Sequence, residues 1–137
     1  MPMPIPEERL VAIVDDDPSV RQSARRLIRS LGYRAEAFGS AEEFLDSGKA
    51  TKTACLILDV RMPRVDGLEL QRRLADSDPP IPIVFITARA SEEEERRALR
   101  TGAVAFLRKP VDKDAVLQVL GTVLERSASE GGNRDDN

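Results

Sequence analysis

The chain has no histidine and no tryptophan, a single cysteine, Cys55, and a single tyrosine, Tyr33. Without histidine there is no Ser-His or Cys-His nucleophile pair and no histidine-ligated zinc site. One cysteine excludes an internal disulfide and a thiolate metal cluster, and its place inside an apolar run reads as packing. Long apolar stretches are also missing. The longest runs are four or five residues, far short of the roughly 20 that a membrane-spanning helix needs. Met1 to Pro6 holds three prolines and lacks the charged and apolar regions of a leader, so cytoplasm is the expected compartment. Lys plus Arg is 21 and Asp plus Glu is 24, a net charge of −3, which argues against binding nucleic acid through bulk charge. What remains for chemistry is carboxylates, hydroxyls, lysine and arginine.

The 137 residues suit one domain, and a hydrophobic share of 41% suffices for a packed core. Two kinds of segment alternate. Leu10 to Val14, Cys55 to Leu58, Ile83 to Ile86 and Ala103 to Leu107 are short apolar runs of the kind buried on both faces of a parallel sheet. Tyr33 to Phe38 is more polar and suits a sheet edge. Between them lie helical patterns. Asp17 is a natural N-cap with Pro18 as first helical residue; Val20, Ala24, Leu27, Ile28 and Leu31 follow at helical spacing, and Gly32 closes the helix. Ser40 with Glu43, and Ser91 with Glu94, predict capping boxes. Asp112 can cap a last helix with an apolar stripe from Ala115 to Leu124. Strand and helix alternate five times, which predicts an α/β fold with helices on both faces of a parallel sheet. Residues 1–8 read as an N-terminal tail, 9–126 as the domain, and 127–137 as a disordered tail or linker stub.

Ligands of an open parallel sheet bind beyond the carboxyl ends of its strands. Asp15, Asp16 and Asp17 follow the first apolar run, and Asp59 with Arg61 follows the third. Thr87 follows the fourth, and Arg108, Lys109 and Pro110 follow the fifth. Each piece alone has a plain reading: the triplet as a helix cap, Thr87 as a turn residue. Together, clustered carboxylates need a cation among them, and an oxygen-only donor set suits Mg²⁺ or Mn²⁺. A carboxylate beside such an ion, a hydroxyl and a lysine is what phosphoryl transfer to aspartate requires.

These residues resemble the receiver domain of bacterial two-component response regulators, of the FixJ type. The matching pieces are Val-Asp-Asp-Asp-Pro-Ser-Val-Arg at 14–21, Ser-Ala-Glu-Glu-Phe-Leu at 40–45 and Leu-Asp-Val-Arg-Met-Pro at 58–63. They continue with Asp-Gly-Leu-Glu-Leu at 66–70, Phe-Ile-Thr-Ala at 85–88 and Gly-Ala-Val-Ala-Phe-Leu-Arg-Lys-Pro at 102–110. The resemblance implies the flavodoxin-like fold with strand order 2-1-3-4-5. It implies Asp59 as the acceptor of a phosphoryl group from a sensor histidine kinase or phosphotransfer protein. Mg²⁺ would be held by Asp16 and Asp59, by Asp15 through water, and by the backbone carbonyl of Arg61. Thr87 would close onto the phosphoryl oxygens, Lys109 would pair with them, Phe106 would be the aromatic switch, and the Lys109–Pro110 peptide would be cis.

Such a domain is not an enzyme beyond its own phosphorylation and dephosphorylation. A phosphatase of the haloacid dehalogenase type would carry a second Asp where Arg61 stands, and arginine cannot donate the proton. A nucleotide-binding domain would need a Gly-rich loop after the first strand. The implied output face is the fourth helix, fifth strand and fifth helix, offered to an effector or a second copy. On the first helix, Arg21, Arg25 and Arg29 form either a kinase-docking face or a solvated one. Too few residues follow for a DNA-binding domain of even about 50 residues. The expectation is therefore a receiver that works through protein contacts without touching DNA or membrane. The alternatives are the N-terminal half of a FixJ- or NarL-type transcription factor, or a receiver-like interaction module that takes no phosphate.

Overall fold

The computed structural model describes residues 9–77 and 79–133, with side chains to residue 124. Five parallel strands form one sheet in the order β2-β1-β3-β4-β5: β1 Leu10–Val14, β2 Arg34–Phe38, β3 Thr53–Leu58, β4 Ile83–Thr87 and β5 Ala105–Arg108. This is the flavodoxin-like order expected from the resemblance. Five helices connect and flank them: α1 Pro18–Ser30, α2 Ala41–Asp46, α3 Gly67–Leu74, α4 Glu92–Arg100 and α5 Lys113–Asn133. Among the described residues no helix is long and apolar enough to cross a membrane.

The period of two along each strand divides the core in two. Val11 and Ile13 of β1, with Cys55 and Ile57 of β3, pack beside Ile28 of α1 and Val116, Leu120 and Leu124 of α5. Ala12 and Val14, with Leu56 and Leu58, face the other way, toward Phe44 of α2, Leu70 and Leu74 of α3 and Ala98 of α4. β1 and β3 are buried almost throughout, as central strands covered on both sides must be. β2 is only partly covered, with Ala35 and Phe38 buried, Glu36 and Ala37 half-buried and Arg34 exposed, as its polar sequence predicts for an edge. Cys55 is fully buried, and burial pushes its thiol up to about 12, so it serves as packing.

The helix starts follow their caps. Asp17 accepts from the Ser19 amide at 2.9 Å with Pro18 next, and Gly32, at φ +92°, follows the Leu31 C-cap. The Ser91–Glu94 capping box is complete in both directions. The Ser40–Glu43 box is not. Ser40 caps the Glu43 amide, but Glu43 Oε1 accepts from Gly39 at 2.8 Å. With Ser40 at φ −155°, against −80° for Ser91, the amide that faces Glu43 is that of the preceding residue.

Several boundaries differ from the sequence reading: β2 starts at Arg34 rather than Tyr33, β3 at Thr53 rather than Cys55, and β4 and β5 each run one residue further, to Thr87 and Arg108. β5 begins at Ala105 rather than Ala103, because the Ala103 amide is spent on the Ala98 carbonyl, closing α4. The backbone of α5 continues to Asn133, through part of the segment expected to be a disordered tail. Ser-Ala-Ser-Glu contains no helix breaker, and extending a formed helix requires no new nucleus. The expected N-terminal tail, residues 1–8, and residues 134–137 lie outside the described residues.

Aromatic residues are only 4% of the chain, so each buried ring carries much of its layer. Phe44 is fully buried and meets Phe38 edge-on at 5.4 Å between centroids. Phe44→Ala is expected to destabilise the fold by about 3–5 kcal/mol in urea titration. A loss below about 1 kcal/mol would show that α2 collapses freely into the space.

Candidate functional site

The site is built where β1 and β3 end side by side. The sheet bonding runs one residue past the strands: the Asp59 amide donates to the Val14 carbonyl at 3.1 Å, and the Asp15 amide to Phe38 at 3.2 Å. Two carboxylates are thereby set on adjacent strand ends. Asp15 and Asp59 are 4% and 7% exposed, whereas Asp16 is open to solvent. Ligand oxygens of the three lie within 4.8 Å of one another.

Asp15 is fully engaged: Oδ1 accepts from the Asp17 amide at 2.9 Å and Oδ2 from Lys109 Nζ at 3.0 Å. Lys109 Nζ is also 3.8 Å from Asp59 Oδ2. The Lys109 amide donates to the Thr87 carbonyl at 2.8 Å, and the Lys109–Pro110 peptide is cis, as expected. The Asp triplet thus divides its labour, Asp17 capping α1 while Asp15 and Asp16 face the cleft.

One ammonium faces three carboxylates. Burial raises the Asp15 carboxyl above its ordinary value, and the charge of Asp59 adds to this; the Asp17 amide and Lys109 oppose it without prevailing. Such an edge is short of positive charge. Its oxygen-only donors could hold a metal ion, and they fit a hard divalent one.

Thr87, fully buried at the end of β4, turns its hydroxyl onto its own loop. It donates to the Arg89 carbonyl at 3.2 Å and accepts from the Arg89 amide at 3.4 Å. Phe106 is half-buried, its ring 5.6 Å from that of Phe85. The Arg61 amide reaches Asp59 Oδ1 at 3.4 Å, but the Arg61 side chain leaves the cleft to pair with Glu94 at 2.8 Å. The structure brings Asp15, Asp16, Asp59 and Lys109 together, while Thr87 stands at the end of β4 with its hydroxyl on Arg89 and Phe106 lies on β5 beside Phe85.

Three residues that the sequence names take roles it does not indicate. Gly67 is the first residue of α3, and a Cβ built on it would lie 2.1 Å from the Asp59 carbonyl oxygen. Only glycine permits that approach; the signal was the Asp66-Gly67 pair, a cap followed by a poor helix former. Arg21 Nη1 donates to the Asp15 carbonyl at 2.8 Å, so this arginine fastens the acidic loop, while Arg25 stays exposed. Arg108 grips the far side of the cleft: it donates to the Ala90 carbonyl and pairs with Glu95.

Residues 11–121 match the family model described as the response regulator receiver domain. The chain belongs to that family. It is 43% identical over 117 residues to nodulation protein W of Bradyrhizobium diazoefficiens, covering 85% of this chain and 52% of that protein. To the transcriptional regulatory protein FixJ of Azorhizobium caulinodans it is 34% identical over 131 residues, covering 96% of this chain and 62% of the relative. These relatives support the FixJ-type assignment. The receiver thus spans about half to three fifths of the length of the curated relatives it matches. A response regulator receiver protein from Burkholderia phymatum has the same fold, with TM-score 0.74 and 43% identity over 85% of this chain and 94% of that one.

Two outcomes follow for the receiver edge. Gly67→Ala is expected to cost about 1–3 kcal/mol in thermal or chemical denaturation, since the neighbour it strikes is backbone; an unchanged midpoint would mean that α3 slides freely away from Asp59. Asp15, with its folded pKa raised, contributes stability that is present below its ordinary value of 3.8 and lost as pH rises through the raised value. Asp15→Asn should therefore melt a few °C above the parent at neutral pH in a metal chelator. A lower melting point would show that the contact with Lys109 outweighs desolvation.

Proposed function

We propose that this receiver accepts a phosphoryl group on Asp59 from the phosphohistidine of a sensor kinase or phosphotransfer protein, and passes the change on through protein contacts. The observation that carries the reading is the state of the Asp59 carboxylate. It is nearly buried beside Asp15 and Lys109, and among the described residues its hydrogen-bond and ion-pair partners are the Arg61 amide at 3.4 Å and Lys109 Nζ at 3.8 Å. Asp15 by contrast has both oxygens committed, and Asp16 lies open to water.

In the transfer, an Asp59 oxygen bonds to phosphorus while the phosphorus–nitrogen bond to histidine breaks and the imidazole keeps the electron pair. Asp15, Asp16, Asp59 and the backbone carbonyl of Arg61 would hold Mg²⁺, with Mn²⁺ as the other hard ion. The ion would neutralise charge on the phosphoryl oxygens. Lys109 supplies the second positive charge from within hydrogen-bond reach of Asp15. Thr87 has a hydroxyl proton to give once it leaves Arg89.

An acyl phosphate adds roughly −1.5 to −2 charge and three strong acceptors. Thr87 and Lys109 gain contacts only in that state, so the equilibrium of the β4–α4 loop and the Phe106 ring shifts with it. The face of α4, β5 and α5 would then meet an effector or a second receiver. The reading includes no nucleic-acid contact by this chain itself.

Intact mass after incubation with acetyl phosphate tests the reading. A gain of one phosphoryl group is expected for the parent with Mg²⁺, and none for the parent in chelator or for Asp59→Asn. No gain in the parent under any condition, together with no Mg²⁺ binding, would leave a receiver-like interaction module.

A further inference from the structure

Arg108 is the last residue of β5, the register partner of Thr87 on β4 and the neighbour of Lys109. Its guanidinium donates through Nη1 to the Ala90 carbonyl at 2.7 Å and through Nη2 to Glu95 Oε1 at 2.8 Å. It also lies over the Phe106 ring, 5.4 Å from the centroid. One side chain therefore joins the loop after Thr87, the first turn of α4 and the aromatic ring beside the cleft. A second strap runs parallel to it, from Arg61 to Glu94 at 2.8 Å.

The position of these straps matters because α4 has little else. Of its nine residues only Ala98 is buried. The Thr87 hydroxyl is meanwhile closed onto Arg89, between the strand and the pinned Ala90. Turning it toward Asp59 breaks both contacts with Arg89 and pulls on a loop whose far end Arg108 holds.

We propose that Arg108 is a positioning residue: by clamping Ala90 and Glu95 it holds Thr87 in the resting arrangement, and so limits how readily Asp59 is phosphorylated. The inference rests on the phosphoryl-acceptor reading above. It adds a residue and a direction, since loss of the clamp speeds the reaction rather than slowing it. The pair is 42% and 33% exposed, so the clamp biases an equilibrium and does not lock it. One exposed ion pair and one charge-assisted hydrogen bond correspond to about a three- to tenfold effect.

The test is the rate of Asp59 phosphorylation by acetyl phosphate with Mg²⁺ in the parent, Arg108→Ala, Arg108→Glu, Glu95→Arg and the double swap. The single variants should react about three- to tenfold faster, and the swapped pair should return toward the parent. A residue that merely supported the fold would slow the reaction when removed, or leave it alone. Amide hydrogen exchange over residues 88–95 of the unphosphorylated protein supplies a readout that needs no phosphoryl chemistry, and it should quicken in Arg108→Ala. If the parent takes no phosphoryl group, the acceptor reading fails while exchange still decides whether the clamp restrains the loop. A folded Arg108→Ala with unchanged exchange, or with a rate no higher than the parent, overturns the proposal. Should that variant not fold, Arg108→Lys keeps the charge but loses the two-pronged contact, and carries the same expectation at smaller size.

Discussion

Two carboxylates held almost out of water on neighbouring strand ends set the terms for the rest of this edge. Asp15 and Asp59 are adjacent because β1 and β3 are adjacent, and they are buried because both strands are covered on both faces. Neither fact can be relaxed without dismantling the sheet. The edge answers with what positive charge it can bring: the Lys109 ammonium, and the amides of Asp17 and Arg61 aimed at carboxylate oxygens. These do not offset burial, which above all keeps the Asp15 carboxyl raised, with the charge of Asp59 adding to it. A site left short of positive charge is ready for a cation and for chemistry that a cation assists. The hydrophobic core thus stabilises an arrangement that the carboxylates by themselves would oppose.

Much of this could be read along the chain because it depends on local rules. Four apolar runs and one more polar piece became the five strands, and Asp17-Pro18 and Ser91 marked where helices start. The residues after four of the runs supplied the candidate site, and among them Asp15, Asp16, Asp59 and Lys109 come together. Strand order was different: the resemblance supplied it, since nothing in the apolar period says which run lies beside which. Contacts between distant segments were invisible for the same reason. Asp66-Gly67 marks a capped helix start opened by a poor helix former but does not name the Asp59 carbonyl as its neighbour, and nothing near Arg61 or Arg108 names Glu94 or Glu95 as partner. The Ser40–Glu43 pair has the right spacing, yet one backbone angle diverts its second bond to Gly39. At the other end, a polar composition read as a tail lacked the breaker that would have stopped α5 at residue 126.

The two helical layers are held by different forces. α5 lays Val116, Leu120, Val123 and Leu124 into the core, and α1 inserts Ile28 beside them. α4 buries Ala98 alone and receives the Gln71 side-chain amide on the Ala98 carbonyl at 2.9 Å. Beyond that it is fastened by charge, through Arg61 to Glu94 and Arg108 to Glu95. Apolar burial is indifferent to a change of charge nearby; an ion pair a few residues from the reacting group is not. Both arginines stand close in sequence to candidate site residues, Arg61 two beyond Asp59 and Arg108 one before Lys109. On the reading proposed above, a phosphoryl group on Asp59 adds negative charge to the edge from which both arginines reach α4. If Asp59 takes the phosphoryl group as proposed, the element placed to respond is the one whose attachment is electrostatic, while α1 and α5 are held by the core.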